Sequence, residues 1–252
     1  MDTLTSREIA GEGTPEFVWR DWMQWHPLPE CSVADLFQGS RTVHIVAPHP
    51  DDEILGCAGI MRQLSRQGTA IRVWAVTDGE ASHPGSRRWS PDALVRTRTW
   101  ESELALRLLS VSVRRDRLAI PDGHVARHER ALEAPLVAAL DAGDTVIAPW
   151  RLDGHPDHEA VARASLRAAA TKQCRFLEVP IWGWHWADPR RGDFPSDRAL
   201  AIPMNADDQQ AKAHAIQAFY SQLVLDPDTG APPILSRFVL VRLQRSFEVV
   251  FQ

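Results

Sequence analysis

From residue 42 onward, short apolar runs alternate with segments of helical length. That alternation limits the chain to an α/β fold, a mostly parallel sheet covered by helices on both faces. Residues 42–47 read as a buried strand, followed by a helix over about 51–67. A strand over 70–77 precedes a long helix over 91–109, opened by Ser90-Pro91-Asp92 with proline where helix starts favour it. A short strand at 117–120, a helix over 128–140, a strand at 145–148 and a helix over 157–170 continue the pattern. Strand character returns over 176–182. Residues 186–198 read as a polar loop, 206–222 as a helix, and 238–241 with 247–250 as an edge hairpin.

No linker or repeat divides this stretch, so residues 41–252 are expected to form one domain preceded by an extension, 1–40. Within the extension Trp19, Trp22 and Trp25 recur at three-residue spacing. That spacing suggests a short amphipathic helix laid on the domain and a candidate homo-oligomer contact. A net charge of -5 argues against nucleic acid as a partner. No apolar run approaches the ~20 residues needed to span a bilayer. The polar, acidic stretch Met1 to Gly13 does not read as a secretory signal. Three scattered cysteines, Cys31, Cys57 and Cys174, form neither a disulfide framework nor a thiolate metal site, and the expectation is a cytoplasmic protein. With cysteine scarce, the ten histidines become the natural metal donors.

Spacing selects among them. His49-Pro50-Asp51-Asp52-Glu53 and His155-Pro156-Asp157-His158-Glu159 are near copies, each following a strand and each opening a helix. Proline keeps the preceding histidine extended at the rim of the sheet, and a side chain three residues on can point back to the same spot. Both corners lie at carboxyl ends of strands, where open α/β sheets bind ligands. A catalytic zinc takes three protein ligands and keeps one position open. His49, Asp52 and His158 would supply two imidazoles and a carboxylate. Asp51 and His155 then remain free, one to take a proton from water and the other to steady an oxyanion or protonate a leaving amine. Capping alone also explains such residues at one corner; two matching corners make a shared site the better reading. Other strand ends add Asp122, which fits a turn, and His124, within reach of the rim.

Ala-Pro-His-Pro-Asp-Asp-Glu at 47–53 with His-Pro-Asp-His at 155–158 resembles the LmbE/PIG-L family of zinc-dependent N-acetylglucosamine deacetylases. The likeness runs over roughly 41–223. It includes Thr77-Asp78-Gly79-Glu80, Arg98-Thr99-Trp100-Glu101, Ile120-Pro121-Asp122-Gly123, and Lys212 with Tyr220-Ser221-Gln222. The resemblance implies a Rossmann-like three-layer sandwich, with His49, Asp52 and His158 as metal ligands, Asp51 as base and His155 as oxyanion or leaving-group partner. It puts Arg98 near the substrate, an N-acylated amino sugar or conjugate. Ser110 stands where the family has glycine, at a helix end away from the chemistry. The Trp182-Gly183-Trp184-His185-Trp186 stretch, in a rim loop, makes Trp184 and His185 candidate substrate contacts. Nitrogen–oxygen donors also accept ferrous iron. Two histidines and a carboxylate describe iron oxygenases as well, but the adjacent Asp51 has no obvious task there; an amidase acting on a non-sugar amide is the other alternative.

Overall fold

A computed structural model describes residues 7–252; the first six residues of the expected extension, and of the stretch read against a secretory signal, lie outside them. Seven strands, β1 (Thr42–Ala47), β2 (Ala70–Ala75), β3 (Arg114–Arg117), β4 (Thr145–Pro149), β5 (Arg175–Val179), β6 (Ala199–Pro203) and β7 (Phe247–Phe251), form one sheet in the order β3-β2-β1-β4-β5-β7-β6. The first five are mutually parallel, and β7 runs antiparallel to both β5 and β6. The helices are α1 (Glu16–Trp25), α2 (Val33–Leu36), α3 (Asp52–Arg66), α4 (Pro91–Leu108), α5 (Glu129–Ala139), α6 (Pro156–Lys172), α7 (Gly183–Trp186), α8 (Ala206–Ile216), α9 (Tyr220–Leu223) and α10 (Arg237–Leu243).

Side chains alternate across a strand, so successive residues of β1 serve different cores. Val43 and Ile45 pack with Ile54, Ile60 and Leu64 of α3, Leu106 of α4 and Ile216 of α8. Val46 faces the other way, with Leu132 and Leu136 of α5 and Val161 of α6. Three layers result, as the alternation implied. His44 shares that second face and is a buried core histidine, accepting from Trp74 Nε1 at 3.1 Å with its Nε2 3.3 Å from Asp144.

The chain leaves β1 toward β2 and β3 on one side and resumes at β4 on the other, so β1 and β4 meet at the switch point of the sheet. A crevice opens there beyond their carboxyl ends, and both His-Pro-Asp corners stand in it.

Several elements differ from expectation. The third strand lies three residues earlier, at Arg114–Arg117; as an exposed edge it needs no apolar side chains and so carries no apolar signal. The expected terminal hairpin is a helix, α10, followed by β7, which is inserted between β5 and β6 rather than lying at an edge. Phe238-Val239-Leu240-Val241 has the β-branched composition of a strand, yet Val239 and Leu243, four apart, form one buried helical face. Strand β6 falls in Ala-Leu-Ala-Ile-Pro, which reads too weakly to be recognised. The helix expected over 206–222 breaks after Ile216 into α8 and the short α9.

Candidate active site

Pro50 and Pro156 set both corners. Asp52 begins α3, and His155 occupies the N-cap of α6 with Pro156 at its first position. His49 Nδ1, His158 Nε2 and Asp52 Oδ2 form a triangle with edges of 3.2, 3.2 and 3.3 Å. Ligands about 2.0–2.1 Å from a tetrahedral zinc stand about 3.3 Å from one another, so this donor set fits a small divalent cation. His155 also has a ring nitrogen within 4.8 Å of ligand atoms of His49 and His158, and His49 forms a second such group with Asp122 and Asp157. The carboxylates of that second group are already engaged: Asp122 accepts from the Ala81 N–H, and Asp157 accepts from those of Gly123 and Val125. They face the far nitrogen of His49, Nε2, at 3.1 and 3.5 Å.

Those contacts split the imidazoles into a proton-bearing side and a lone-pair side. His49 donates from Nε2 to Asp122, which turns Nδ1 toward Asp52 and His158. His158 donates from Nδ1 to Asp153 Oδ2 at 2.8 Å, which turns Nε2 inward. A carboxylate behind a histidine fixes its tautomer and raises its basicity as a ligand. Burial disfavours charge on His158, but Asp52 and Asp153 outweigh it and raise the ring to about 9. Burial likewise opposes a charged His49, and hydrogen bonds to Asp122, Asp157 and Asp52 raise it well above the ordinary range. Burial works against ionised Asp52 as well, and His158 and His49 hold it well below the usual carboxylate range. The cluster favours positive charge at its centre.

Asp153 is absent from the sequence-based reading. It sits in the loop before the second corner with no motif of its own, and only its fully buried position reveals its work. It also accepts backbone N–H bonds from Ile181, Trp182 and Gly183 at 2.8–2.9 Å. It thereby ties His158 to the turn after β5.

The remaining candidates separate into two groups. Asp51 borders the cleft, and Arg98 Nη2 donates to its Oδ2 at 2.9 Å while Nη1 reaches the Gly79 carbonyl at 3.1 Å. Burial raises the Asp51 pKa, and the Arg98 charge restrains the rise. His155 borders the same cleft; its Nδ1 accepts from the Asp157 N–H, and burial, then His158 and His49, push it down to about 3. Asp122 lines it too. His124 does not: it is exposed, 2.8 Å from the Gly123 carbonyl. Trp184 is packed into the core against Trp19 and Phe194. His185, expected in an exposed loop, is buried, donating from Nε2 to the Ala10 carbonyl and accepting at Nδ1 from Arg242. Of that tryptophan-rich stretch it is Trp182 that borders the cleft, together with Gln222, Leu55 and Leu235.

The fold and the cluster define a class: an α/β protein with a His/Asp metal-type site at the switch point of its sheet. A family model described as PIG-L, GlcNAc-PI de-N-acetylase, matches residues 44–169, and the chain belongs to that family. A deacetylase of Kineococcus radiotolerans, 1D-myo-inositol 2-acetamido-2-deoxy-alpha-D-glucopyranoside deacetylase, is 35% identical over 175 residues, 56% of this chain and 48% of that protein. The chain thus spans about half the length of that curated relative. Among solved structures, the N,N'-diacetylchitobiose deacetylase of Pyrococcus horikoshii aligns with a TM-score of 0.53 at 22% identity, covering 74% of this chain and 72% of that one. A teicoplanin deacetylase in a zinc-inhibited form aligns at 0.60 and 17%, covering 83% and 97%. A conserved protein of Thermus thermophilus aligns at 0.55 and 25%, covering 79% and 84%. The three-layer fold is shared with all of them.

Proposed function

We propose that the protein hydrolyses an N-acyl group, acetyl in the simplest case, from an amino sugar or its glycoside, with zinc held by His49, Asp52 and His158. The observation that carries this reading is the 3.2–3.3 Å donor triangle with Asp51 and His155 beside it on the same cleft. Family membership and the acetyl-sugar substrates named for its relatives support it. When bound, the cation supplies Lewis acidity, polarising a carbonyl and making water a better acid.

The chain's own residues supply the rest. Asp51 accepts the proton of the attacking water as the water oxygen bonds to the amide carbon. Its burial keeps it a stronger base than an exposed carboxylate, and the Arg98 guanidinium fixes its orientation. His155 spends Nδ1 on the Asp157 N–H, so the neutral ring carries its proton on Nε2. A neutral N–H donor suits an oxyanion better than it suits general-acid work. As the C–N bond breaks, the proton held by Asp51 passes to the departing amine. Asp122 orients His49 and at the same time presents a carboxylate to sugar hydroxyls.

Zinc-loaded protein incubated with N-acetyl amino sugars and their glycosides should release acetate and free amine in equal amounts. Release from none of them, nor from longer N-acyl analogues, would overturn the reading.

A further inference from the structure

Residues 7–14, ahead of α1, run as a strap along one side of the cleft, and Ile9 lines it. Arg7 Nη1 donates to Glu159 Oε1 at 2.8 Å, next to the second corner. The Ala10 carbonyl accepts from His185 Nε2 at 3.1 Å, and the Thr14 N–H donates to the His185 carbonyl at 2.7 Å. Arg242 Nη1 donates to the Glu12 and Thr14 carbonyls. Two glycines permit the close approach. A Cβ on Gly13, whose φ is +66°, would overlap the His185 ring, and one on Gly154 would meet the Arg7 carbonyl. The strap is therefore built into the site, and His185 is its anchor.

The cleft, about 430 Å³, is lined by both polar and apolar side chains. The groups already given roles in amide hydrolysis are polar. Ile9, Leu55, Trp182, Ile234 and Leu235 come from four separate segments and have no task in that reaction. Sites of about 300–1,000 Å³ enclose ligands of drug size, more than an acetamido sugar alone. Apolar walls gain affinity by removing apolar ligand surface from water.

We propose that these apolar lining residues, Ile9 of the strap among them, form an aglycone subsite, and that the substrate is an N-acyl amino sugar glycosidically linked to an apolar alkyl or aryl group. The proposal rests on the deacylase reading for the position of the sugar. Ile9 is a specificity residue of that subsite and acts through binding.

The test compares kcat/KM for N-acetylglucosamine and for its hexyl β-glycoside in the wild type, Ile9→Ser and Ile9→Leu. The hexyl glycoside should be favoured about tenfold in the wild type through KM, which corresponds to about 1.4 kcal/mol. Ile9→Ser should lose most of that preference, and Ile9→Leu should keep it. Equal kcat/KM for both sugars in the wild type, or an equal loss on both in Ile9→Ser, would overturn the subsite. If neither sugar is cleaved, nor any longer N-acyl analogue, the deacylase reading fails separately. Calorimetry with hexyl β-glucoside, which has no amide, then decides the subsite: tighter binding to wild type than to Ile9→Ser upholds it, and equal binding overturns it.

Discussion

At the scale of single residues, the site assigns different tasks to two aspartates that are neighbours in sequence. Asp52 Oδ2 faces two imidazoles and accepts from the backbone N–H of His49 at 2.9 Å, whereas Asp51 is turned to Arg98. Asp51→Asn should therefore lower kcat by about 10²–10⁴, the range for losing a general base, with zinc content by elemental analysis unchanged. Asp153→Asn should act differently. It weakens the acceptor behind His158, so metal affinity measured by chelator competition should fall by about 10–100-fold, as outer-shell substitutions do. Asp51 and Asp52 were legible because motif and helix start coincide. Asp153 was not, because its role is set by a contact with a histidine five residues on and a turn nearly thirty residues on.

At the scale of elements, α1 shows how packing sorts residues that look alike in sequence. Trp19 is fully buried, with edge contacts to Trp184 and Phe194 and its Nε1 donating to the Trp184 carbonyl, whereas Trp25 is 82% exposed. Trp19→Ala should cost about 3–5 kcal/mol in denaturant unfolding, the range for truncating a large core aromatic, and Trp25→Ala should cost almost nothing. Helices α3 and α8 are joined by charge: Arg62 and Arg66 both donate to the buried Asp208 carboxylate at 2.7–2.8 Å. Burial tends to raise the Asp208 pKa, but the arginine hydrogen bonds prevail and depress it. A carboxylate with a depressed folded pKa contributes stability above its unfolded pKa, near 3.9, and loses it as pH falls through the folded value. The stability difference between wild type and Asp208→Asn should accordingly be full at pH 7 and shrink below about pH 4, as urea titrations at several pH values would show. No helix among the described residues is long and apolar enough to cross a membrane.

At the scale of the whole molecule, the candidate site is a property of the sheet's switch point. The candidate ligand atoms are presented by two helix starts that a parallel crossover brings together, and hydrogen bonds to buried carboxylates already hold them. Chelation should abolish acetate release while far-UV circular dichroism stays unchanged, and zinc should raise the thermal midpoint in a concentration-dependent way through its preference for the folded state. The local signals of sequence, short apolar strand runs and helices opened by proline, determined the central strands, the three layers and the two corners, because backbone conformation there follows from near neighbours. Only the tertiary structure decided that β7 enters between β5 and β6, that Asp153 and Asp122 stand behind the two histidines, and that His185 anchors a strap instead of facing the cleft. Each of these depends on burial and pairing between segments far apart in the chain, and no local pattern encodes which distant partner removes a side chain from water.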